Sequence, residues 1–141
     1  MFEKRQIELD ARGVATLTLN REAKHNALSA EMLAELTQAA ADLGEDDNVR
    51  VVVLTGTGKS FCAGGDLGWM SEQMQADPET RAKEASKLAF MLQALPTMPK
   101  PLIGAFQCTA SAGGVGLVAV GDLAIGLDRL HMGLTATRPG I

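Results

Sequence analysis

Val51-Val52-Val53-Leu54-Thr55-Gly56-Thr57-Gly58-Lys59-Ser60-Phe61-Cys62-Ala63-Gly64-Gly65-Asp66-Leu67 is the run on which the reading of this 141-residue chain turns. Its first part, extended back to Val49, is β-branched and mostly apolar. That composition suits a strand buried in a parallel sheet. A glycine-rich loop from Thr55 to Gly68 follows. Gly58-Lys59-Ser60 resembles the end of a phosphate-binding loop, but that pattern needs a glycine at position 53, where Val53 stands. Such a loop also enters a helix at once, and Phe61-Cys62-Ala63 does not. The stretch from Gly56 to Ser60 therefore reads as a turn after a strand.

Upstream, Gln6 to Asp10 and Val14 to Asn20 alternate polar and apolar residues around Arg12-Gly13, which predicts a β-hairpin. Arg21 to Asn26 reads as a polar loop. Ser29 suits a helix N-cap, and Met32, Leu36, Ala39, Ala40 and Leu43 recur at helical spacing, with Gly44 as the stop. Downstream, Asp77-Pro78-Glu79 opens a helix that Pro96, Pro99 and Pro101 end. Leu102–Phe106 predicts a strand and Leu117–Val120 follows a second small-residue loop. Asp122–Ile125 predicts a short strand, and an extended segment comes after it. Strands alternating with helices predict an α/β domain.

The chain carries 13 Lys and Arg against 17 Asp and Glu, a net charge of −4. This balance argues against a basic nucleic-acid face. Its length suits one domain over residues 1–141. Cys62 and Cys108 with His25 and His131 form no metal-ligand spacing, and two reduced thiols are expected. The N-terminus lacks the apolar core of a signal peptide, and no apolar run reaches the ~20 residues of a bilayer helix. A soluble cytoplasmic chain without a membrane partner is the expectation.

Two small-residue loops could carry chemistry: Phe61–Leu67 and Ala112-Gly113-Gly114-Val115-Gly116-Leu117. Each follows a strand and opens a helix, where backbone N–H groups are free. Two such groups aimed at one carbonyl oxygen form an oxyanion hole. Spacing alone leaves a tight packing turn open for each.

Taken in order, these stretches resemble the enoyl-CoA hydratase/isomerase (crotonase) superfamily. The resemblance rests on Val14–Arg21, Asn26-Ala27-Leu28-Ser29, Val51–Gly56, Phe61–Leu67, Lys100-Pro101-Leu102-Ile103-Gly104 and Gly113–Leu117. Asp122–Gly126 and Met132-Gly133-Leu134-Thr135 complete it. It implies a crotonase-like ββα spiral, here without the C-terminal helices that cover the acyl pocket and build a trimer. It also implies an acyl-CoA thioester ligand, with coenzyme A as part of the substrate and no separate cofactor or metal. The oxyanion donors would be Gly65 and Gly113. The ligand-contacting residues would be Lys24, Ala27, Ala63, Asp66, Leu67 and Gly68. Lys24 would meet a phosphate or stand solvated. Asp66 would order the loop or cap a helix. Trp69, Met70 and Met74 would lie over the acyl pocket or pack as ordinary core.

The resemblance also marks two departures. The hydratases of this family use two glutamates, and at the matching positions this chain has Gly116 and Ala136. Neither residue transfers protons, so efficient hydration is not expected. Among nearby groups, Asp122 would transfer protons or stand as a structural carboxylate, His131 lies close in sequence to the vacant base position or is a surface or core histidine, Cys108 has no visible activating partner, and Arg138 would pair a substrate carboxylate or stand as a surface charge. A non-catalytic acyl-CoA-binding or oligomerisation module is the alternative. Self-association would cover the apolar faces left by the missing helices.

Overall fold

The computed structural model describes residues 5–135. Strands β1 (Arg5–Leu9) and β2 (Val14–Leu19) form the expected hairpin, pairing antiparallel with Ile7 opposite Leu17. Gly13 takes the turn at φ 82°. Strand β3 (Val51–Gly56) lies parallel to β2, and β4 (Leu102–Phe106) lies parallel to β3. Strand β6 (Leu123–Gly126) closes the row, giving a five-stranded sheet in the order β1-β2-β3-β4-β6. Two short strands, β5 (Thr109–Ser111) and β7 (His131–Gly133), pair parallel in a second small sheet.

Alternation along the strands decides which face is buried. Ala15, Leu17 and Leu19 of β2 align with Val52 and Leu54 of β3 and with Leu102 and Phe106 of β4. Against them pack α1 (Ala30–Glu45), through Met32, Leu33, Leu36 and Ala39, and α3 (Pro78–Thr97), through Met91 and Leu95. Phe61, fully buried, stacks on Phe106 with ring centroids 4.5 Å apart.

Two helix ends differ from the sequence expectation. Ser29 does cap α1, its hydroxyl oxygen accepting the Met32 N–H at 3.2 Å. The helix does not stop at Gly44 but runs to Glu45, with Asp46 as its C-cap. Likewise α3 runs through Pro96 to Thr97. A proline forfeits one hydrogen bond and clashes one turn back. In the last turn of a helix whose Met91 and Leu95 anchor the core, that penalty does not break the helix. Helix α2 (Leu67–Gln75) occupies the end of the glycine-rich loop, and Arg21–Asn26 holds a short 3-10 turn (Glu22–Lys24) instead of an irregular loop.

Asn26 ties that turn to the rest of the molecule. It is completely buried, at φ 54°, a conformation that Asn tolerates better than most residues. Its Oδ1 accepts the Arg21 N–H at 2.8 Å. Its Nδ2 donates to the carbonyls of Thr57, Ser60 and Phe61 at 2.9, 3.0 and 3.0 Å. One side chain thus replaces a strand ladder between two loops. Asn26→Ala is expected to destabilise the chain by roughly 2–4 kcal/mol, because buried carbonyls lose their donor. Chemical denaturation of the two chains measures it, and a loss under about 0.5 kcal/mol contradicts this role for Asn26.

Candidate functional site

The segment Phe61–Asp66 runs between two others and bonds to both through its backbone. On one side Ala63 N–H donates to His25 O, Leu28 N–H to Gly64 O at 2.7 Å and Asp66 N–H to Leu28 O at 2.9 Å. On the other side Phe61 N–H donates to Thr109 O and Ser111 N–H to Cys62 O. This packing needs residues without side chains. Gly64 sits at φ 94°, and a Cβ there would stand 2.8 Å from Ser111 O. A Cβ on Gly114 would overlap the Cys62 carbonyl.

The two small-residue loops therefore meet backbone to backbone. A Cβ on Gly113 would lie 3.9 Å from Gly65 N, and one on Gly64 would lie 3.4 Å from Gly113 N. Among the described residues, neither the Gly65 nor the Gly113 N–H has an acceptor. Both glycines are half-buried, so a ligand can reach them. Gly113 begins α4 (Gly113–Ala119). The run before it is backbone-strained. Ala112 has φ 45°, ψ −112° and Cys108 has φ 43°. Each such non-glycine costs on the order of 1–3 kcal/mol.

A cavity of about 500 Å³ opens beside Gly65. It is lined by six of the residues that the sequence pointed to as ligand contacts: Lys24, Ala27, Ala63, Asp66, Leu67 and Gly68. Arg21 and His25 also line it. Lys24 makes no ion pair among the described residues. His25 Nδ1 lies 3.2 Å from Ser60 Oγ. Gly113 is not in the lining but adjoins Gly65 from behind.

Asp66 fills both roles left open for it. Its Oδ1 caps α2 by accepting the Trp69 N–H at 2.9 Å. Its Oδ2 pairs with Arg21 Nη1 at 2.6 Å, and the same nitrogen donates to Ala27 O. The Trp69 N–H and then Arg21 hold this carboxyl below the ordinary carboxylate value, against the opposing effect of partial burial. Asp66 is thus an ionised strut between the Arg21–Ala27 turn and α2. Sequence spacing carries no signal for its pairing with Arg21, 45 residues away.

Behind Gly65 lies an apolar cleft of about 300 Å³ between α2 and α3, lined by Trp69, Met70, Gln73, Met74, Arg81 and Ala85. Met70 Sδ stands 2.8 Å from where a Gly65 Cβ would be, so the cleft adjoins Gly65. Arg81 bonds the carbonyls of Gln73, Met74 and Ala76 at the end of α2. Trp69 donates through Nε1 to Glu84.

Groups able to move a proton are scarce here. Asp66 is the one carboxylate among the residues lining the cavity and the cleft. A Cβ on Gly116 would meet the tip of Leu92 at 3.3 Å. Asp122 accepts the Leu102 N–H through Oδ2 at 2.8 Å and so braces β4 against β6. Burial pushes the Cys62 thiol up to about 11, with a Gly64 N–H pulling weakly the other way, so it stays neutral. His131 is exposed on β7. Ala136 and Arg138 lie outside the described residues. Among the described residues there is no His, Cys, Asp and Glu cluster able to hold a metal ion, and no helix long and apolar enough to cross a membrane.

Comparison with known proteins gives the family and the fold. A family model described as Enoyl-CoA hydratase/isomerase covers residues 10–141. A crystal structure of an enoyl-CoA hydratase from Shewanella pealeana superposes with a TM-score of 0.95 at 32% identity, covering 100% of this chain and 53% of that one. The 4-chlorobenzoyl coenzyme A dehalogenase-2 of an Arthrobacter species is 36% identical over 122 residues, which is 83% of this chain and 43% of its own. The 1,2-epoxyphenylacetyl-CoA isomerase of Escherichia coli is 34% identical over 119 residues, covering 81% and 44% respectively. The chain spans about half the length of the curated relatives that it matches. On the family model, the relatives and the crotonase fold together, this chain belongs to the enoyl-CoA hydratase/isomerase family.

Proposed function

We propose that this chain binds a coenzyme A thioester and stabilises its enolate through the backbone N–H groups of Gly65 and Gly113. The observation that carries the reading is a pair of adjacent N–H groups without acceptors among the described residues, one of them, that of Gly65, at a polar cavity. The thioester oxygen would accept from both. As the α-carbon loses a proton, negative charge builds on that oxygen, and fixed donors lower the barrier by ~3 kcal/mol each. Lys24 faces the cavity with a positive charge suited to the phosphates of coenzyme A, beside the Arg21–Asp66 ion pair. The acyl group would enter the α2–α3 cleft, past Met70. Homo-oligomeric assembly and a cytoplasmic location belong to the same proposal.

The reaction would be addition of water across an α,β double bond, or an isomerisation through the enolate. Either needs a general acid or base. Gly116 and Ala136 supply none, Asp66 is made a weaker base by the Trp69 N–H and Arg21, and His25 at the cavity wall lies 3.2 Å from Ser60 Oγ. The scarcity of proton-moving groups favours a second reading, an acyl-CoA-binding module without turnover.

Calorimetric titration with acetoacetyl-CoA and with a thioether analogue lacking the carbonyl oxygen tests the donors without altering the protein. The thioester is expected to bind at least tenfold more tightly, since charged hydrogen bonds are worth ~1.5–3 kcal/mol each. Equal affinities exclude the oxyanion hole, and no binding of either excludes the coenzyme A reading. Hydration of a short enoyl-CoA is expected to be barely measurable and to rise by ~100-fold or more in Gly116→Glu combined with Ala136→Glu. No rise in a folded variant that still binds ligand rejects those two positions as the vacant acid–base sites.

Asp66→Asn reads the strut. The Asp66 carboxyl lies below its unfolded value in the folded chain, so its contribution is complete above the unfolded value and is lost as pH falls from there through the lowered folded value. The stability gap between the two chains is expected to be about 1–2 kcal/mol at pH 7 and to close below about pH 4. A gap that stays constant between pH 7 and pH 3 contradicts the assignment.

A further inference from the structure

We infer that, within the coenzyme A function proposed above and on which this rests, Gln73 selects the acyl group, favouring a chain that ends in a hydroxyl over one that ends in a methyl.

An orphaned polar atom points to this role. Gln73 stands on α2 in the wall of the α2–α3 cleft. Its Oε1 is shut off from solvent and accepts no hydrogen bond among the described residues. Its Nε2 has no protein partner there either. Buried amide oxygens almost always have a donor, and one without calls for a reason. The other polar side chains of the wall bond elsewhere. Trp69 Nε1 donates to Glu84 Oε2 at 3.2 Å. Arg81 donates to the main-chain carbonyls of Gln73, Met74 and Ala76 at 3.1, 3.4 and 3.0 Å. The whole lining belongs to α2 and α3, and Oε1 is closed off within this chain. The unmet acceptor is thus a feature of these two helices.

Its position sets which part of a ligand it meets. Helical spacing puts Met70, Gln73 and Met74 on one face of α2. Met70 abuts Gly65, and Gln73 stands ~4.5 Å further along the helix axis. A thioester polarised at Gly65 and laid past Met70 reaches Gln73 with the far end of its acyl chain, beyond the α- and β-carbons. The cleft's volume of about 300 Å³ suits a short chain, roughly ten heavy atoms at ~30 Å³ each.

The terminal torsion of Gln is broad, so its amide can turn into the cleft without moving the helix. The amide offers one acceptor and two donors. A hydroxyl both donates and accepts, so it satisfies whichever amide atom faces it. A methyl end does neither and leaves the amide unpaired among apolar side chains. Sites that bond a substrate hydroxyl reject the analogue without it for this reason, whereas a purely apolar cleft discriminates weakly.

Calorimetric titration of the full chain tests the selection. The ligands are ω-hydroxyacyl-CoA thioesters with chains of about four to six carbons, each paired with its methyl-ended isostere. At one chain length or more, the hydroxyl thioester is expected to bind at least tenfold more tightly. In Gln73→Leu that preference is expected to vanish or reverse, with affinity for free coenzyme A unchanged. Helix α2 buries no residue fully, so the substitution spares the core, and far-UV circular dichroism checks the fold. Equal binding of both members at every length, or a preference that survives in Gln73→Leu, overturns this role for Gln73 alone. Binding of no thioester and no coenzyme A overturns the proposed function and this role with it.

Discussion

Everything near the site depends on three segments of backbone lying side by side without side chains between them. Phe61–Asp66 bonds to His25 and Leu28 on one flank and to Thr109 and Ser111 on the other. Contact at this range leaves no room for a Cβ at Gly64 or Gly114. The strand ends deliver the outer two segments, and Asn26 locks the first of them to the turn after β3. The main sheet thus acts as a jig that fixes where the loops cross.

The same closeness has a chemical result. A backbone that bonds on both flanks uses most of its polar groups, and two N–H groups without acceptors among the described residues, those of Gly65 and Gly113, end up as neighbours. Donors held by a packed scaffold need no reorganisation when charge develops next to them, which is why fixed backbone N–H groups stabilise an oxyanion better than water does. The strain at Ala112 and Cys108 fits this account. Those residues hold left-handed conformations that glycine would adopt freely, because the loop's path is set by its neighbours.

Much of the architecture was legible from periodicity. The hairpin, α1 and β4 each combine a clear alternation or helical stripe with an evident punctuating residue. Helix ends were less so. Gly44 and Pro96 read as stops because local propensity favours stopping there, yet buried residues on both helices carry them a little further. At the site, the small-residue loops stood out as candidates, but their contact did not, since convergence is a property of the sheet and not of spacing. Arg21 and Asn26 were the real omissions. Each acts on a partner more than 30 residues away, and a single sequence offers no periodic signal for such a pairing.

A small-residue loop in a sequence admits a bland reading and a sharp one, a packing turn or a catalytic cradle. On the proposed function the two are one arrangement. Small residues let the loops pack backbone to backbone, and that packing leaves two N–H groups free and immobile. The donors therefore persist for as long as the fold does, whatever side chains stand at positions 116 and 136. Proton transfer has no such protection, because it rests on single side chains that can be exchanged without disturbing the core. On the proposed function, carbonyl polarisation would be the durable half of the chemistry and the acid–base groups the replaceable half. The Arthrobacter and Escherichia coli relatives fit that division, carrying names of different reactions on coenzyme A thioesters over the same matched portion of sequence.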